Sequence, residues 1–450
     1  MSAVIQTARP GAPLTMGAET RTFAFGPHGA VPLGRFLAQV RGLAATLPAG
    51  RHAVNLCEDR YRFLVAFCAV ALRGQVTLLP PSRAPAVVAD VLERHADSYC
   101  LGDDALACEP PRYWRLPDVL PELDGPAPLL DDDALVAIGF TSGSTGVPKA
   151  NPKTWGSFRT STMQNLMALR HLWPHDAHAP VVATVPSQHM YGMEMSVLLP
   201  LLGDVAVHTA RPFFPQDIAL ALRDAAAPAL LVTTPVHLRA LVEADVELPP
   251  LAGIVSATAP LSAELAACAE ARFGCEVREL FGSTETCVIA HRRTAHETWW
   301  TPMPGVALQP QPDGSLVHAR HLAAPMPLAD IIELDAAGRF HLRGRQADLL
   351  EIAGKRASLG DLTRKLNAIP GVRDGVVFQL DACASGVARI AALVVAPDLD
   401  EDAILQALRC NIDPVFLPRR LRRVDALPRN ETGKLPRAAL LRLLQCDTTA

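Results

Sequence analysis

The chain has 450 residues, of which 49% are hydrophobic, so it can bury at least two cores in about three or four units of ordinary domain size. Its formal net charge of -4 argues against nucleic acid as a main partner, since phosphate backbones are bound by clearly basic surfaces. The ten cysteines contain no Cys-x-x-Cys pair and no regular ligand spacing, which favours reduced packing residues over a metal site.

Residues 1–25 show little periodicity and several turn formers, which predicts a loose N-terminal arm without a secretory leader. From Pro32 to Leu79, helical patterns alternate with short apolar strands, as in βαβ units. Strand-like runs at 180–185, 229–233 and 253–256 are each followed by a helical pattern. We therefore predict an α/β fold, with a large N-terminal body of parallel sheets flanked by helices.

Between about residues 299 and 345 the pattern changes to short strands with several prolines, which indicates a small β region. After residue 345, helical and strand patterns alternate, which predicts an α+β domain of about 100 residues. We expect the large domain at 26–346 and the C-terminal domain at 347–450. No apolar run reaches the roughly 18 residues of a membrane span, and we expect a cytoplasmic location.

A glycine- and hydroxyl-rich segment lies between a predicted strand at 134–140 and a predicted helix at 154–172. Its amides, hydroxyls and lysine suit the phosphates of a nucleotide triphosphate. Its spacing differs from that of the common phosphate loop, so a Walker-type ATPase is disfavoured. The residues of this loop that carry the chemistry are Thr141, Ser142, Gly143, Ser144, Thr145, Gly146 and Lys149.

Three further motifs follow in the order Phe281–Glu285, Gly344–Arg345 with Asp348, and Pro428–Lys434. Together with the loop, they resemble the signatures of the adenylate-forming superfamily, which contains acyl-CoA synthetases, aryl-acid ligases, nonribosomal adenylation domains and luciferases. The resemblance implies ATP-dependent activation of a carboxylic acid to an acyl-adenylate with release of pyrophosphate. It also implies that the C-terminal domain is a mobile lid, with the hinge at Ala347.

The resemblance implies a role for each motif. The loop from Thr141 to Lys149 would cover the β and γ phosphates, and Glu285 would hold Mg²⁺ with Thr284 near the α-phosphate. Lys434 would bridge the attacking carboxylate and the α-phosphate as charge develops. The adenosine moiety and the acyl group would lie against the residues Ser256, Ala257, Thr258, Phe281, Gly282, Asp330 and Arg345.

The segment Pro186–Met195 resembles the motif that borders the acid pocket in this superfamily. The resemblance places His189 near the carboxylate, followed in the pocket by Met190, Tyr191 and Gly192. Met190 stands where amino-acid-activating relatives carry an aspartate for the α-amine, which disfavours an α-amino acid. An aromatic, hydroxybenzoate-like acid is the first expectation.

The segment 146–156 is similar to stand-alone ligases of aryl-polyene and xanthomonadin-type pathways. This similarity implies transfer of the aryl group to the phosphopantetheine thiol of an acyl carrier protein. A fatty or aryl acyl-CoA synthetase that uses coenzyme A is the alternative. A nucleotide-binding regulatory pseudoenzyme is an alternative of another class, and the oligomeric state stays open.

Overall fold

The structure is a computed structural model that describes residues 11–106, 108–141, 149–172, 179–345, 349–352, 355–380, 389–430 and 433–445. Contacts between residues divide the chain into two compact units. The first unit takes in Met1–Val306 and Ala319–Ala324, and the second takes in Ala307–His318 and Pro325–Ala450. Within the described residues, no helix is both long and apolar enough to cross a membrane.

The first unit combines two sheets with flanking helices. Its strands, in chain order, are β1 (Ala12–Pro13), β2 (Thr22–Gly26), β3 (Gly29–Pro32), β4 (His52–Asn55), β5 (Val76–Leu79), β6 (Ser98–Gly102), β7 (Tyr113–Arg115), β8 (Leu129–Leu130), β9 (Leu135–Thr141), β10 (Lys149–Thr154), β11 (Val181–Ala183), β12 (Val207–His208), β13 (Ala229–Thr233), β14 (Leu251–Ser256), β15 (Val277–Ser283), β16 (Cys287–Arg292) and β17 (Thr301–Pro302). Its helices are α1 (Leu33–Thr46), α2 (Arg60–Leu72), α3 (Pro85–Arg94), α4 (Trp155–Leu169), α5 (Met190–Met193), α6 (Leu199–Leu202), α7 (Pro215–Arg223), α8 (Pro235–Glu243) and α9 (Ala263–Phe273). The predicted α/β body is therefore confirmed.

Six strands form one sheet in the order β10-β9-β5-β4-β6-β7, and all its neighbours are parallel except β10 and β9. Nine strands form the other, in the order β17-β16-β15-β14-β13-β11-β12-β2-β3. The six strands from β15 to β2 in that order are parallel, and antiparallel strands close both edges. The predicted parallel strands at 229–233 and 253–256 are neighbours at the centre of this sheet.

Helices begin where the sequence supplies a cap. The side chain of Asp59 accepts a hydrogen bond from the Arg62 amide at the start of α2, and Thr154 accepts one from Ser157 at the start of α4. Helix α2 is buried along nearly its whole length, because its residues from Phe63 to Leu72 are apolar on every face. These caps fix the point at which each chain segment leaves its sheet.

Between the predicted phosphate loop and the predicted helix, the structure has β10, an antiparallel edge strand that tolerates Pro152. One expectation about the first unit needs correction. The described part of the expected N-terminal arm is not loose, since β1 pairs with β8 and β2 joins the large sheet. Leu14 and Phe23 are fully buried there, so apolar packing holds this segment.

The second unit contains short antiparallel ribbons followed by a small α+β core. Its elements are β18 (Val306–Gln311), β19 (Gly314–Ala319), β20 (Met326–Leu328), β21 (Asp330–Leu334), β22 (Phe340–Arg345), β23 (Leu349–Ile352), β24 (Lys355–Ser358), α10 (Leu359–Asn367), β25 (Asp374–Gln379), β26 (Ile390–Val395), α11 (Glu401–Asn411), β27 (Arg420–Arg423) and α12 (Arg437–Gln445). The core sheet has the order β25-β26-β27.

Residues 307–318 and 325–346, which we expected in the large domain, cluster with the second unit. The reason is visible at β22, which contacts α10 and β24 of that unit. The predicted hinge residue Ala347 lies outside the described residues. The domain boundary at 346 and 347 therefore stays a prediction.

Candidate active site

The predicted phosphate loop begins and ends at two residues that face each other across neighbouring strands. Thr141 ends β9 and Lys149 begins β10, and the two residues are direct partners in the antiparallel register. The residues between them lie outside the described residues, so their predicted contacts with phosphate stay predictions: Ser142, Gly143, Ser144, Thr145 and Gly146. The described ends of the loop place one hydroxyl and one exposed ammonium side by side.

Glu285 lies in the turn between β15 and β16 and is half-buried. The hydroxyl Oγ1 of Thr141 donates to its Oε1 at 3.1 Å. Burial works against ionisation of the Glu285 carboxyl, but hydrogen bonds, including those from Ser283 and Thr141, outweigh burial and lower its pKa. The nearby charge of Lys149 acts in the same direction. The carboxyl group is therefore ionised at neutral pH.

An ionised carboxylate of this kind fits Mg²⁺. The ion prefers oxygen ligands, and in nucleotide sites it is held by one or two carboxylates together with phosphate oxygens and water. Among the described residues, no group of three or more His, Cys, Asp or Glu side chains could enclose a metal. A single carboxylate beside a phosphate loop matches a metal that arrives with its nucleotide.

The acid-pocket motif forms a short helix, α5, preceded by the half-buried His189. Gly192 is required there, because an added Cβ would lie 1.9 Å from the carbonyl oxygen of Pro186. Met190 is buried, and its Cε lies 3.3 Å from where a Cβ on Gly139 would be; the corresponding distance for Cγ2 of Thr284 is 2.7 Å. The structure thus brings Met190 and Thr284 together over a glycine of β9.

The side chain of Tyr191 links α5 to β14. Its hydroxyl donates to the carbonyl oxygen of Val255 at 3.0 Å, next to Ser256 at the carboxyl end of β14. Ser256 is fully buried and Ala257 nearly so, and the hydroxyls of Ser256 and Thr258 have no hydrogen-bond partner among the described residues. Buried polar atoms are ordinarily paired, so both hydroxyls are available to a ligand.

The segment after β14 also carries backbone strain. Thr258 has φ of +81°, in the left-handed region that disfavours side chains with a branched Cβ. The superfamily motif has glycine at this position and at Ala257. Thr258 therefore keeps a backbone conformation that suits glycine, and both replacements add side-chain atoms beside the predicted adenine and acyl region.

Phe281 in β15 packs against Trp300, with ring centroids 5.4 Å apart and planes tilted by 50°. The guanidinium of Arg292 lies over Trp300 at 4.4 Å and also pairs with Glu279. Gly282 follows, and an added Cβ would lie 2.1 Å from a backbone oxygen of β16. The aromatic ring predicted to meet adenine is therefore supported from one side by a second ring and a cation.

The remaining predicted residues belong to the second unit. Asp330 and Arg345 are direct partners in the ribbon of β21 and β22. Lys434 is exposed, and its amide donates to Oδ1 of Asn430 at 2.9 Å. Arg429 next to this turn forms paired hydrogen bonds of 2.8 to 3.0 Å with Asp374 in β25. The Lys434 backbone is thus anchored, and its exposed side chain can reach a ligand.

Sequence reasoning missed three buried polar residues around these motifs: Arg60, Lys153 and Glu194. Lys153 donates from Nζ to the backbone oxygen of Glu285 at 2.8 Å, across 132 residues of sequence. Glu194 follows the acid-pocket helix, and Arg60 binds the strand end that leads into it. The only sequence feature that could have pointed to this contact was Lys153 itself, shortly after the phosphate loop. Its burial in β10 and its partner Glu285 could not be identified without the fold.

Comparisons with known proteins identify the family. The family model described as AMP-binding enzyme matches residues 38–311. The chain is 31% identical over 308 residues to a 4-coumarate--CoA ligase of Rhodobacter capsulatus, covering 66% of this chain and 74% of the relative.

Two solved structures share the fold. ATP-bound MatB from Rhodopseudomonas palustris superposes with a TM-score of 0.79 at 18% identity, covering 94% of this chain and 96% of that chain. A benzoate CoA ligase from Burkholderia xenovorans gives a TM-score of 0.76 at 19% identity, covering 94% and 96%. The chain therefore belongs to the AMP-binding enzymes of the adenylate-forming superfamily and is an AMP-forming ligase that adenylates a carboxylic acid with ATP.

Proposed function

We propose that the substrate is an aromatic acid of the hydroxybenzoate type and that the aryl group passes to the phosphopantetheine thiol of an acyl carrier protein. In the first step, a carboxylate oxygen forms a bond to the α-phosphorus of ATP and the bond to pyrophosphate breaks. In the second step, the thiol attacks the acyl carbon and AMP leaves. Each step exchanges one bond for another and needs no further co-reactant.

The main support for an aromatic acid comes from the side chains of Met190 and Tyr191, which would form one wall of the acid pocket. Both side chains are buried, and the Tyr191 ring is fixed by its hydrogen bond to Val255. A flat ring packs well against a fixed aromatic side chain and a polarisable thioether. The unpaired hydroxyl of Ser256 beside this wall suits an acid that carries a polar ring substituent.

The roles of the site residues follow from charge. Thr141 and Lys149 bind the β and γ phosphates, and Lys434 stabilises the negative charge that develops between carboxylate and α-phosphate. Glu285 would hold Mg²⁺, and the bound ion would supply positive charge for the departing pyrophosphate. Thr284 and His189 orient the α-phosphate and the carboxylate, so that the two reacting atoms meet in line.

The nucleoside is held by the other predicted residues. Phe281, backed by Trp300, stacks on adenine, and Gly282 allows the backbone to approach it closely. Asp330 accepts hydrogen bonds from the ribose hydroxyls, assisted by Arg345. Ala347 acts as the hinge on which the C-terminal domain changes position between the two steps.

Coenzyme A is the second candidate acceptor. The 4-coumarate--CoA ligase and the benzoate CoA ligase that resemble this chain are both named for that thiol. Coenzyme A and a carrier protein present the same phosphopantetheine thiol, so the adenylation site is compatible with either one. Aryl acids are common to both candidates.

The test is ATP-pyrophosphate exchange with purified protein and Mg²⁺ against benzoic, hydroxybenzoic, cinnamic, fatty and amino acids. We expect exchange with aryl acids and none with fatty or amino acids. The acceptor is then resolved by following thioester formation with phosphopantetheinylated carrier protein or coenzyme A in parallel. Exchange confined to fatty acids would contradict the proposed acid, and thioester formed with coenzyme A alone would contradict the proposed acceptor.

A further inference from the structure

The turn that presents Glu285 is held from beneath by two buried side chains. Lys153 donates to the backbone oxygen of Glu285 at 2.8 Å, and Nε2 of His321 lies 2.7 Å from the backbone oxygen of Thr286. The next residue, Cys287, has φ of +59°, a strained conformation for a residue with a side chain. A strained turn keeps its shape only while surrounding contacts hold it.

Lys153 is an unusual residue to find in this place. It lies in β10, the strand that follows the phosphate loop, and is only 3% exposed. A buried ammonium is costly unless it is hydrogen-bonded and its charge is balanced. Besides the Glu285 carbonyl, its surroundings include the thiol of Cys287 and the charge of Glu194.

Glu194 is a nearby buried carboxyl group whose ionisation the charge of Lys153 favours. It is 1% exposed, and it accepts hydrogen bonds from Nδ2 of Asn165 at 3.1 Å and from the amide of Val288 at 2.9 Å. Burial raises the pKa of Glu194 to about 7, while hydrogen bonding by Asn165 and the charge of Lys153 act against this rise. Val288 lies in β16, immediately beyond the Glu285 turn.

The location of Glu194 connects it to the acid pocket as well. It begins a π-helical stretch, Glu194–Leu198, that continues directly from α5. Such widened turns insert a residue into a helix and occur frequently at functional sites. Glu194 thus joins the acid-pocket helix to the strand after Glu285, while Lys153 joins the phosphate-loop strand to Glu285 itself.

We propose that Lys153 and Glu194 form a buried positioning couple that holds the Glu285 carboxylate in place for the ATP-bound metal ion. The couple links the phosphate-loop strand, the acid-pocket helix and the Glu285 turn, so these three segments share one geometry. This inference rests on the proposed role of Glu285 as the Mg²⁺ ligand. Both members are positioning residues, since they act on the reacting groups through Glu285.

The expected effect is on the metal rather than on the nucleoside. Loss of a residue that orients a metal ligand typically lowers metal affinity by about 10- to 100-fold. Lys153→Met keeps an unbranched side chain of similar length but removes the ammonium. We expect this variant to need at least about tenfold more Mg²⁺ for half-maximal pyrophosphate exchange. Calorimetric binding of AMP without metal should stay within about twofold of the unmodified protein.

The readout that does not depend on activity is the binding of ATP measured by calorimetry with and without Mg²⁺. The metal should tighten ATP binding much less in Lys153→Met than in the unmodified protein. Lys365→Met is the matched control, because Lys365 is a partly exposed surface lysine paired with Asp361 in α10. It should leave the Mg²⁺ requirement and the binding of both nucleotides unchanged.

Glu194→Gln and the double variant separate positioning from folding. Removing Lys153 alone leaves an unbalanced buried carboxyl, so Lys153→Met should lower the melting temperature, and the double variant should recover part of that loss. The proposal requires the raised Mg²⁺ requirement to persist in the double variant. If the metal requirement returned to normal together with the melting temperature, Lys153 and Glu194 would be structural only.

Glu285→Ala distinguishes the two possible failures. If Glu285→Ala raises the Mg²⁺ requirement but Lys153→Met does not, the positioning couple is wrong and the role of Glu285 stands. If Glu285→Ala also leaves the Mg²⁺ requirement unchanged, the proposed role of Glu285 is wrong, and the couple is overturned with it.

Discussion

Arg60 anchors the approach to the acid pocket, and its removal should weaken acid binding. It is 1% exposed at the start of α2, and its guanidinium donates to the carbonyl oxygens of Ala183 at 2.8 Å and Val185 at 3.0 Å. It also bonds the hydroxyls of Ser187, at 3.2 Å, and Ser196. These partners lie before, within and just after the motif Pro186–Met195, which contains His189.

The magnitude follows from the groups that Arg60→Met would leave unpaired. Each buried acceptor without a partner costs about 1–3 kcal/mol, so the two carbonyl groups together cost about 2–6 kcal/mol. Part of this loss is offset, because Arg60→Met also removes a charge that is costly to bury. That cost is reflected in the pKa of Arg60, which burial lowers to about 9. We expect a net loss of about 3 kcal/mol in the stability of the first unit.

Loosening the segment before His189 should raise the KM for the acid by about tenfold, equivalent to about 1.4 kcal/mol. The KM for ATP should change by less than about twofold, since the side-chain hydrogen bonds of Arg60 within the described part of the chain go to Ala183, Val185, Ser187 and Ser196, none of which is a predicted ATP-binding residue. The assay is thermal unfolding together with pyrophosphate exchange at varied acid and ATP. Arg62→Met is the control, because Arg62 lies on the same helix and its guanidinium bonds exposed carbonyl oxygens. Equal melting temperatures and equal acid KM for the two variants would refute this reasoning.

Two further predictions concern pH and the Lys434 turn. Because the pKa of Glu194 is about 7 folded against 4.5 for the ordinary group, folding retains a proton in this window, and stability falls as the pH rises through it. The melting temperature of Glu194→Gln minus that of the unmodified protein should therefore increase as the pH rises from about 5 to about 8. A difference that stays constant over this range would refute the prediction. Asp374→Ala removes the partner of Arg429, so we expect a lower kcat for adenylation with an unchanged acid KM; an unchanged kcat would show that Lys434 needs no such anchor.

The sequence predicts the central elements of the fold well because their local pattern and their environment agree. Helix α2 lies within the predicted alternation of helices and strands from Pro32 to Leu79, since its apolar run from Phe63 follows the cap Asp59 and stops before Arg73. The strand β10 was missed, because its inward residues are Asn151 and Lys153. Their burial makes sense only beside partners far along the chain, which no alternation of apolar and polar residues can reveal.

The candidate site divides in the same way. Motif spacing identified Glu285 and Thr141, and the structure joins them by a hydrogen bond. Their support by Lys153 and Glu194 depends on contacts between distant strands and helices, so it became visible only in the fold. The strained φ of Thr258 is likewise a property of the tertiary structure, which the local sequence pattern does not reveal.

We propose that this chain activates an aryl acid as its adenylate through Lys434. The most direct test is to mix the protein with ATP, Mg²⁺ and a hydroxybenzoic acid in a single turnover, quench it, and identify the aryl-adenylate by mass spectrometry. We predict adenylate in an amount comparable to the protein, and almost none with Lys434→Ala, although that variant should still fold and bind ATP. Near-normal adenylate from Lys434→Ala, or none from the unmodified protein with any aryl acid, would contradict the account.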